Sequence, residues 1–204
     1  MEHLFIQGDE NHPVLLLLHG TGGTEEDLIP LAKRIDELAS VLSLRGDVNE
    51  QGMNRFFKRI SPGVFDEVDL VKRTHKLIGF IEAMGIEYSF ESSQVVGVGY
   101  SNGANMLASM LMHDNSVLSG AILHHPMVPL RGVDRVDLAG VEILITAGRN
   151  DPMCPVSETE SLVELFKQAN ACVEVAWFDE GHQLTNDEVR KAKSWYEKRS
   201  DKWI

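Results

Sequence analysis

Gly99-Tyr100-Ser101-Asn102-Gly103 places one serine between two glycines, directly after a strand-like run at 94–98 and directly before a helix-like run at 102–113. A strand that feeds straight into a helix must turn sharply. The residue at the apex takes strained, left-handed angles that lift its hydroxyl clear of the sheet. The two backbones converge beside it, so positions two residues either side must be small, as Gly99 and Gly103 are. A hydroxyl so placed suits nucleophilic attack, but at neutral pH it needs a base to take its proton. It also needs a carboxylate to orient that base, and N–H donors for the oxyanion that attack creates.

Each role has a candidate. Of the eight histidines, His182 in Glu180-Gly181-His182-Gln183-Leu184 follows the last strand-like run and is the best base. His3, His12, His75 and His113 lie near the start of the chain or on helices, and read as surface or packing residues. His124 and His125 end a strand-like run and are placed to approach the site. The carboxylate falls to Asp151, after the run 141–147 and before Pro152; Asp179 is the alternative, on the same loop as His182. Leu18-His19-Gly20-Thr21-Gly22-Gly23 follows another strand and supplies glycines that let N–H groups turn inward. The oxyanion donors are then the N–H groups of Thr21 and Asn102, with His19 holding the loop. The glycine cluster lacks both the Gly-Lys-Ser/Thr ending of a P-loop and dinucleotide spacing, so it is not a phosphate cradle.

These residues must be positioned by an alternation of short β-like and longer amphipathic runs. Strands are expected at 4–7, 14–18, 41–44, 94–98, 118–124, 141–147 and 173–178. Helices are expected at 25–39, 67–84, 102–113, 157–169 and 186–199, with a long surface loop at 45–66. Val14 to Leu18 is apolar at every position, as a strand covered on both faces should be. Repeated β–α alternation implies an α/β fold, a mostly parallel sheet with helices on both faces. In such sheets chemistry gathers at the carboxyl ends of the strands, where every motif above falls.

The 204 residues, 43% hydrophobic, suit one domain spanning 1–204. A formal net charge of −12, from 31 acids against 19 bases, disfavours nucleic acid and anionic membranes as partners. Two cysteines, Cys154 and Cys172, make no disulfide framework, and Cys154 reads as a packing thiol. The start of the chain lacks the basic and apolar segments of a signal peptide, and 14–18 is far short of the ~20 residues that span a bilayer. A soluble, cytoplasmic protein without membrane insertion is the expectation.

The order Ser101, Asp151, His182, with Gly99 to Gly103 and the upstream His19-Gly20-Thr21-Gly22-Gly23, resembles the α/β-hydrolase superfamily over essentially the whole chain. Together with His124-His125-Pro126-Met127 and Gly181-His182-Gln183-Leu184-Thr185, it resembles small bacterial carboxylesterase/phospholipase-type serine hydrolases related to dienelactone hydrolase. The resemblance implies a serine esterase that needs neither metal nor cofactor. Dienelactone hydrolase itself carries cysteine at the elbow, so its ring-opening reaction is not implied. Family members often insert a lid after the strand ending here at His124, but 125–140 is too short for a helical cap, and no large cap domain is expected. The pocket wall is expected from Phe56 and Phe57 on the long loop and from Met127 and Met153, with Arg55 or Arg59 placed to attract a substrate carboxylate. The reading is a serine carboxylesterase for a small-molecule ester, acting through an acyl-enzyme on Ser101. An acyl-protein thioesterase, a lysophospholipase-type hydrolase and a catalytically silent binding protein are its rivals. A homodimer is neither required nor excluded.

Overall fold

The computed structural model describes residues 1–132 and 136–204. The chain opens with β1 (His3–Ile6) and β2 (Val14–Leu18). All of β2 is buried, and its leucines divide by parity: Leu16 and Leu18 join one apolar cluster, Leu15 and Leu17 another. Successive strand side chains point to opposite faces, so a strand apolar throughout is one covered on both. Each leucine so buried is worth roughly 1.5–3 kcal/mol over leaving it exposed. There follow α1 (Ile29–Ile35), β3 (Ser40–Leu44), and two hairpins, β4 (Val48–Glu50) with β5 (Met53–Arg55) and β6 (Arg59–Ser61) with β7 (Val64–Phe65). The rest runs α2 (Glu67–Tyr88), β8 (Val95–Tyr100), α3 (Asn102–His113), β9 (Gly120–His124), β10 (Glu142–Gly148), α4 (Val156–Gln168), β11 (Cys172–Phe178) and α5 (Asn186–Glu197).

The main sheet has seven strands in the order β1-β3-β2-β8-β9-β10-β11, parallel except where β1 meets β3. Helices α1 and α5 cover one face through Leu31, Ile35, Val189 and Trp195. On the other face α2, α3 and α4 bury Leu70, Leu77, Leu107, Leu111, Leu162 and Phe166. The order reverses direction at β2, with β3 on one side and β8 on the other. The catalytic candidates cluster at the carboxyl ends of strands from this point onward, as in other open α/β sheets.

Three elements differ from the sequence expectation. The helix expected at 25–39 is confined to α1, because a start at Ile29 puts Pro30 in the first turn, where its missing N–H costs nothing. Residues 25–28 form turns instead, so the three acids there do not sit on a helix dipole. Helix α2 runs through Gly85 and stops only at Ser89, whose φ of 60° ends it in the left-handed conformation. The expected loop at 45–66 is the pair of hairpins. The described residues between β9 and β10 hold no helix, and no cap covers the sheet's carboxyl edge. Among the described residues no helix is long and apolar enough to cross a membrane.

Candidate active site

Ser101 joins β8 to α3 with φ 51° and ψ −110°, a conformation that costs on the order of 1–3 kcal/mol and that its surroundings enforce. Its N–H donates to the carbonyl of His124 at 2.9 Å, and its own carbonyl accepts from the N–H of Asn105 at 2.9 Å. The flanking glycines are required by distance. A Cβ on Gly103 would stand 2.0 Å from the carbonyl oxygen of Leu18, and one on Gly99 would stand 2.7 Å from the nitrogen of Ala104. Although Ser101 occupies the N-cap of α3, its side chain caps nothing and is left to face the cleft.

His182 lies between Ser101 and Asp151. Its Nε2 is 2.9 Å from Ser101 Oγ and its Nδ1 is 2.6 Å from Asp151 Oδ2. A carboxylate can only accept, so Nδ1 carries the proton and Nε2 offers its lone pair to the serine. Two contacts fix the loop that carries His182: Tyr100 donates its hydroxyl to the His182 carbonyl at 2.9 Å, and Gly148 lies so close to the Glu180 and Gly181 carbonyls that only glycine fits. Burial alone would raise the carboxyl of Asp151. The hydrogen bond from His182 and the N–H groups of Met153 and Cys154, at 2.8 and 3.0 Å, outweigh it and leave the carboxyl below its usual range. Asp179, the alternative carboxylate, points to solvent near Arg149 and makes no contact with His182.

The N–H groups of Thr21 and Asn102 donate to no other group among the described residues, and both residues line the cleft beside Ser101. The Asn102 N–H also lies at the positive end of α3, which favours a developing anion. The glycine loop is braced from several sides. His19 donates Nδ1–H to the Gly20 carbonyl at 2.6 Å and accepts at Nε2 from the Gly46 N–H at 3.0 Å. Burial lowers the pKa of His19, consistent with a neutral ring that both donates and accepts. From β5, Arg55 donates to Thr21 Oγ1 at 2.6 Å, while Asn54 donates to the Gly23 carbonyl and accepts from the Gly22 N–H. The hairpin thus holds the glycine loop, a role its loop-like sequence did not disclose.

The cleft has a volume of about 230 Å³, and Arg55, Arg59, Phe65, Met127 and Met153 line it beyond the central residues. Met127 and Met153 stand where the sequence placed them; Phe56 and Phe57 do not. These two rings are 2% and 0% exposed and belong to the core, not to the cleft wall. The reason is that two short hairpins made mostly of polar residues need an apolar anchor between them, and this pair supplies it. Phe56 packs beside His19, with its N–H on Asn102 Oδ1, and Phe57 meets Phe65 edge-on. The adjacent Arg55, Arg59 and Phe65 reach the cleft in their place.

Sequence reasoning also missed a buried polar cluster behind Asp151. His125 Nδ1 is 3.1 Å from Asp151 Oδ2, and its Nε2 is 2.8 Å from Glu188 Oε1. Glu188 further accepts from the hydroxyl of Thr146 at 2.8 Å and from the N–H and hydroxyl of Thr185 at 2.8 and 2.9 Å. Burial pushes Glu188 up, yet the contact and charge of His125, with the hydrogen bonds of Thr185 and Thr146, bring its carboxyl down to about 2. His124 beside it is wholly buried and pushed down to about 4, and its Nδ1 donates to Thr146 Oγ1 at 2.7 Å. Two signals were present: the His124-His125 pair at a strand end, and the Thr185-x-x-Glu188 capping pattern that opens α5. Donor atoms of His125, Asp151 and His182 all lie within 4.8 Å of one another, but hydrogen bonds of 2.6 and 3.1 Å already join them.

Residues 50–203 match the dienelactone hydrolase family. The chain belongs to that family. It is 50% identical over 196 residues to MhqD of Bacillus subtilis (strain 168), covering 96% of this chain and 98% of that protein. It superposes on the crystal structure of the Bacillus cereus carboxylesterase with a TM-score of 0.96 at 54% identity, over 97% of this chain and 94% of the other. YahD, solved with malic acid, is similar at a TM-score of 0.93 and 30% identity, over 97% and 98% of the two chains. The fold is that of the α/β-hydrolases, and the protein is a hydrolase.

Proposed function

We propose that this family member is a serine carboxylesterase that hydrolyses small carboxylic esters through an acyl-enzyme on Ser101. In this reading Ser101 Oγ attacks the ester carbonyl while His182 Nε2 takes its proton. The N–H groups of Thr21 and Asn102 receive the oxyanion, and Asp151 stabilises the imidazolium that forms. The tetrahedral intermediate collapses as His182 returns the proton to the leaving alcohol. Water, deprotonated by the same ring, then releases the acid. The observation that carries the proposal is the unbroken relay from Ser101 Oγ through His182 to Asp151, with gaps of 2.9 and 2.6 Å, beside two free N–H donors. Similarity to the Bacillus cereus carboxylesterase supports the ester class. A cleft of about 230 Å³ lies below the ~300–1,000 Å³ usual for drug-sized ligands and supports a small substrate. Arg55 and Arg59 at its wall share one carboxylate, Glu50, at 3.1 and 2.8 Å, and the positive charge left over favours an ester that itself carries a carboxylate.

The test is hydrolysis of short esters, with and without a carboxylate, by wild type and Ser101→Ala, alongside a palmitoyl ester. The variant is expected to lose ~10⁴-fold or more in kcat, with short chains preferred throughout. Equal rates for wild type and Ser101→Ala would refute the mechanism. A preference for palmitoyl would move the reading to a thioesterase or lysophospholipase.

A further inference from the structure

We infer that His125 is a buried, doubly protonated positioning residue, a fixed cation that bridges Asp151 and Glu188 and sets the acid limit of the proposed esterase. Two carboxylates flank the ring. Every other protein partner of Asp151 is a donor: His182 Nδ1–H on Oδ2, and the Met153 and Cys154 N–H groups on Oδ1. The same holds for Glu188, which receives only the Thr146 hydroxyl and the N–H and hydroxyl of Thr185. Both groups therefore sit as anions, with side chains 1% and 0% exposed, and the ring of His125, itself 1% exposed, lies between them.

A ring with a single proton would leave a bare, electron-rich nitrogen beside a carboxylate oxygen at either 3.1 or 2.8 Å, where both side chains are almost wholly buried. Two protons remove the conflict on both sides. The contact to Glu188 is short but poorly aligned, so it acts as an ion pair more than as a directed hydrogen bond. Among the described residues no lysine or arginine ion-pairs with Asp151 or Glu188, so the compensating charge falls to His125. The backbone is held for this purpose: His125 takes φ 53°, and its N–H is pinned to the Thr146 carbonyl at 2.9 Å. The other titratable groups around the ring are His182, with centroids 5.2 Å apart, Tyr100, edge-on at 6.0 Å, and the preceding His124, itself hydrogen-bonded to Thr146.

The consequence concerns His182. With His125 charged, Asp151, Glu188 and His125 together carry one negative charge, which the proton taken from Ser101 just cancels. Without that cation two negative charges would face His182, holding a proton on its ring in the resting enzyme and disabling it as a base over more of the acid range. His125→Gln keeps a donor in place but removes the charge. The acid limb of kcat/KM for a short ester is expected to move upward by about one pH unit. A residue that only packs would lower the plateau and leave the limb where it was, and that result would overturn the inference.

The pH profile rests on the esterase reading, so a second measurement stands apart from it. Nitrogen-15 spectra of the wild-type ring, assigned by the signal lost in His125→Gln or, if that variant does not fold, by selective labelling, should show both nitrogens protonated at pH 7. One bare nitrogen there would refute the inference whatever the substrate. Absence of Ser101-dependent ester hydrolysis with both nitrogens protonated would instead refute the esterase and leave the bridging cation standing.

Discussion

Replacing Gly103 by alanine tests whether the elbow works through the close approach of two backbones. The new Cβ would lie 2.0 Å from the Leu18 carbonyl oxygen, 2.4 Å from its carbon and 2.7 Å from the His19 oxygen, where ordinary contact begins at 3.4 Å. All three atoms are backbone, so no rotamer change relieves the overlap; the end of β2 and the start of α3 must part by more than an ångström. Overpacking of this kind costs about 3 kcal/mol. For a chain of this length that lowers Tm by roughly 6–12 °C. The same movement separates the proposed oxyanion donors, because Thr21 follows β2 and Asn102 opens α3. A misplacement of about 1 Å costs on the order of 100-fold in rate. The loss should fall on kcat more than on KM, since these donors act on charge that exists only in the transition state. Thermal unfolding and short-ester kinetics measure both effects. Gly79→Ala is the control, on the exposed side of α2 with nothing within 4 Å of its Cβ, and it should raise stability by about 0.5–1 kcal/mol. If Gly103→Ala kept wild-type Tm and kcat, the reasoning about converging backbones would be wrong.

Two further outcomes follow from ionisation behind the site. Glu188, with its carboxyl near 2 in the folded protein, contributes stability that is complete above its ordinary value of 4.5 and fades as pH falls from there through about 2. Glu188→Gln should therefore cost about 3 kcal/mol near pH 7 by urea unfolding, with the gap from wild type closing toward pH 2; a pH-independent gap would contradict this. Burial and the nearby Asp151 charge push the Cys154 thiol up to about 12, and its Sγ donates to the Pro126 carbonyl, so it should resist a thiol reagent until the protein unfolds. Exposed Cys172 should react in the native state, slowed because its hydrogen bond to Glu142 and that carboxylate's charge raise its thiol, and two rapid equivalents from folded protein would count against this assignment.

Local pattern made the frame of the sheet legible. All-apolar β2 and the strand-to-helix turn at Ser101 follow from rules about neighbours in sequence, and both lie within a residue or two of where the sequence placed them. Order along the chain singled out Asp151 and His182, which the structure sets 2.6 Å apart. What stayed hidden depended on residues far apart in sequence. Nothing local says that Phe56 turns inward while Arg55 reaches Thr21, because the apolar space that receives the ring is built by other elements. Glu188 reads as an ordinary capping residue, and it is one; its second task is set by His125, which arrives from another strand end. The shortened α1 is a different kind of miss, since Pro30 was visible and its rule outranked the apolar spacing.

The two hairpins also explain how an uncapped sheet keeps an ordered site. Glycines at 20, 22 and 23 give the proposed oxyanion loop the freedom to turn its N–H groups inward, and the same freedom would let it collapse onto its own carbonyls. The hairpin meets that risk with side chains: Arg55 holds Thr21 by its hydroxyl, Asn54 occupies the Gly23 carbonyl, and the backbone of Asn54 takes the Gly22 N–H. Those contacts occupy the Thr21 hydroxyl, the Gly22 N–H and the Gly23 carbonyl and, among the described residues, leave the Thr21 N–H unclaimed. Arg55 can do this only because Glu50 lies 3.1 Å from its Nε and the Phe57 ring lies against its guanidinium, which keeps a nearly buried charge in place. The buried phenylalanines that the sequence suggested as a substrate wall thus serve the site from behind, as the anchor from which the arginine reaches it.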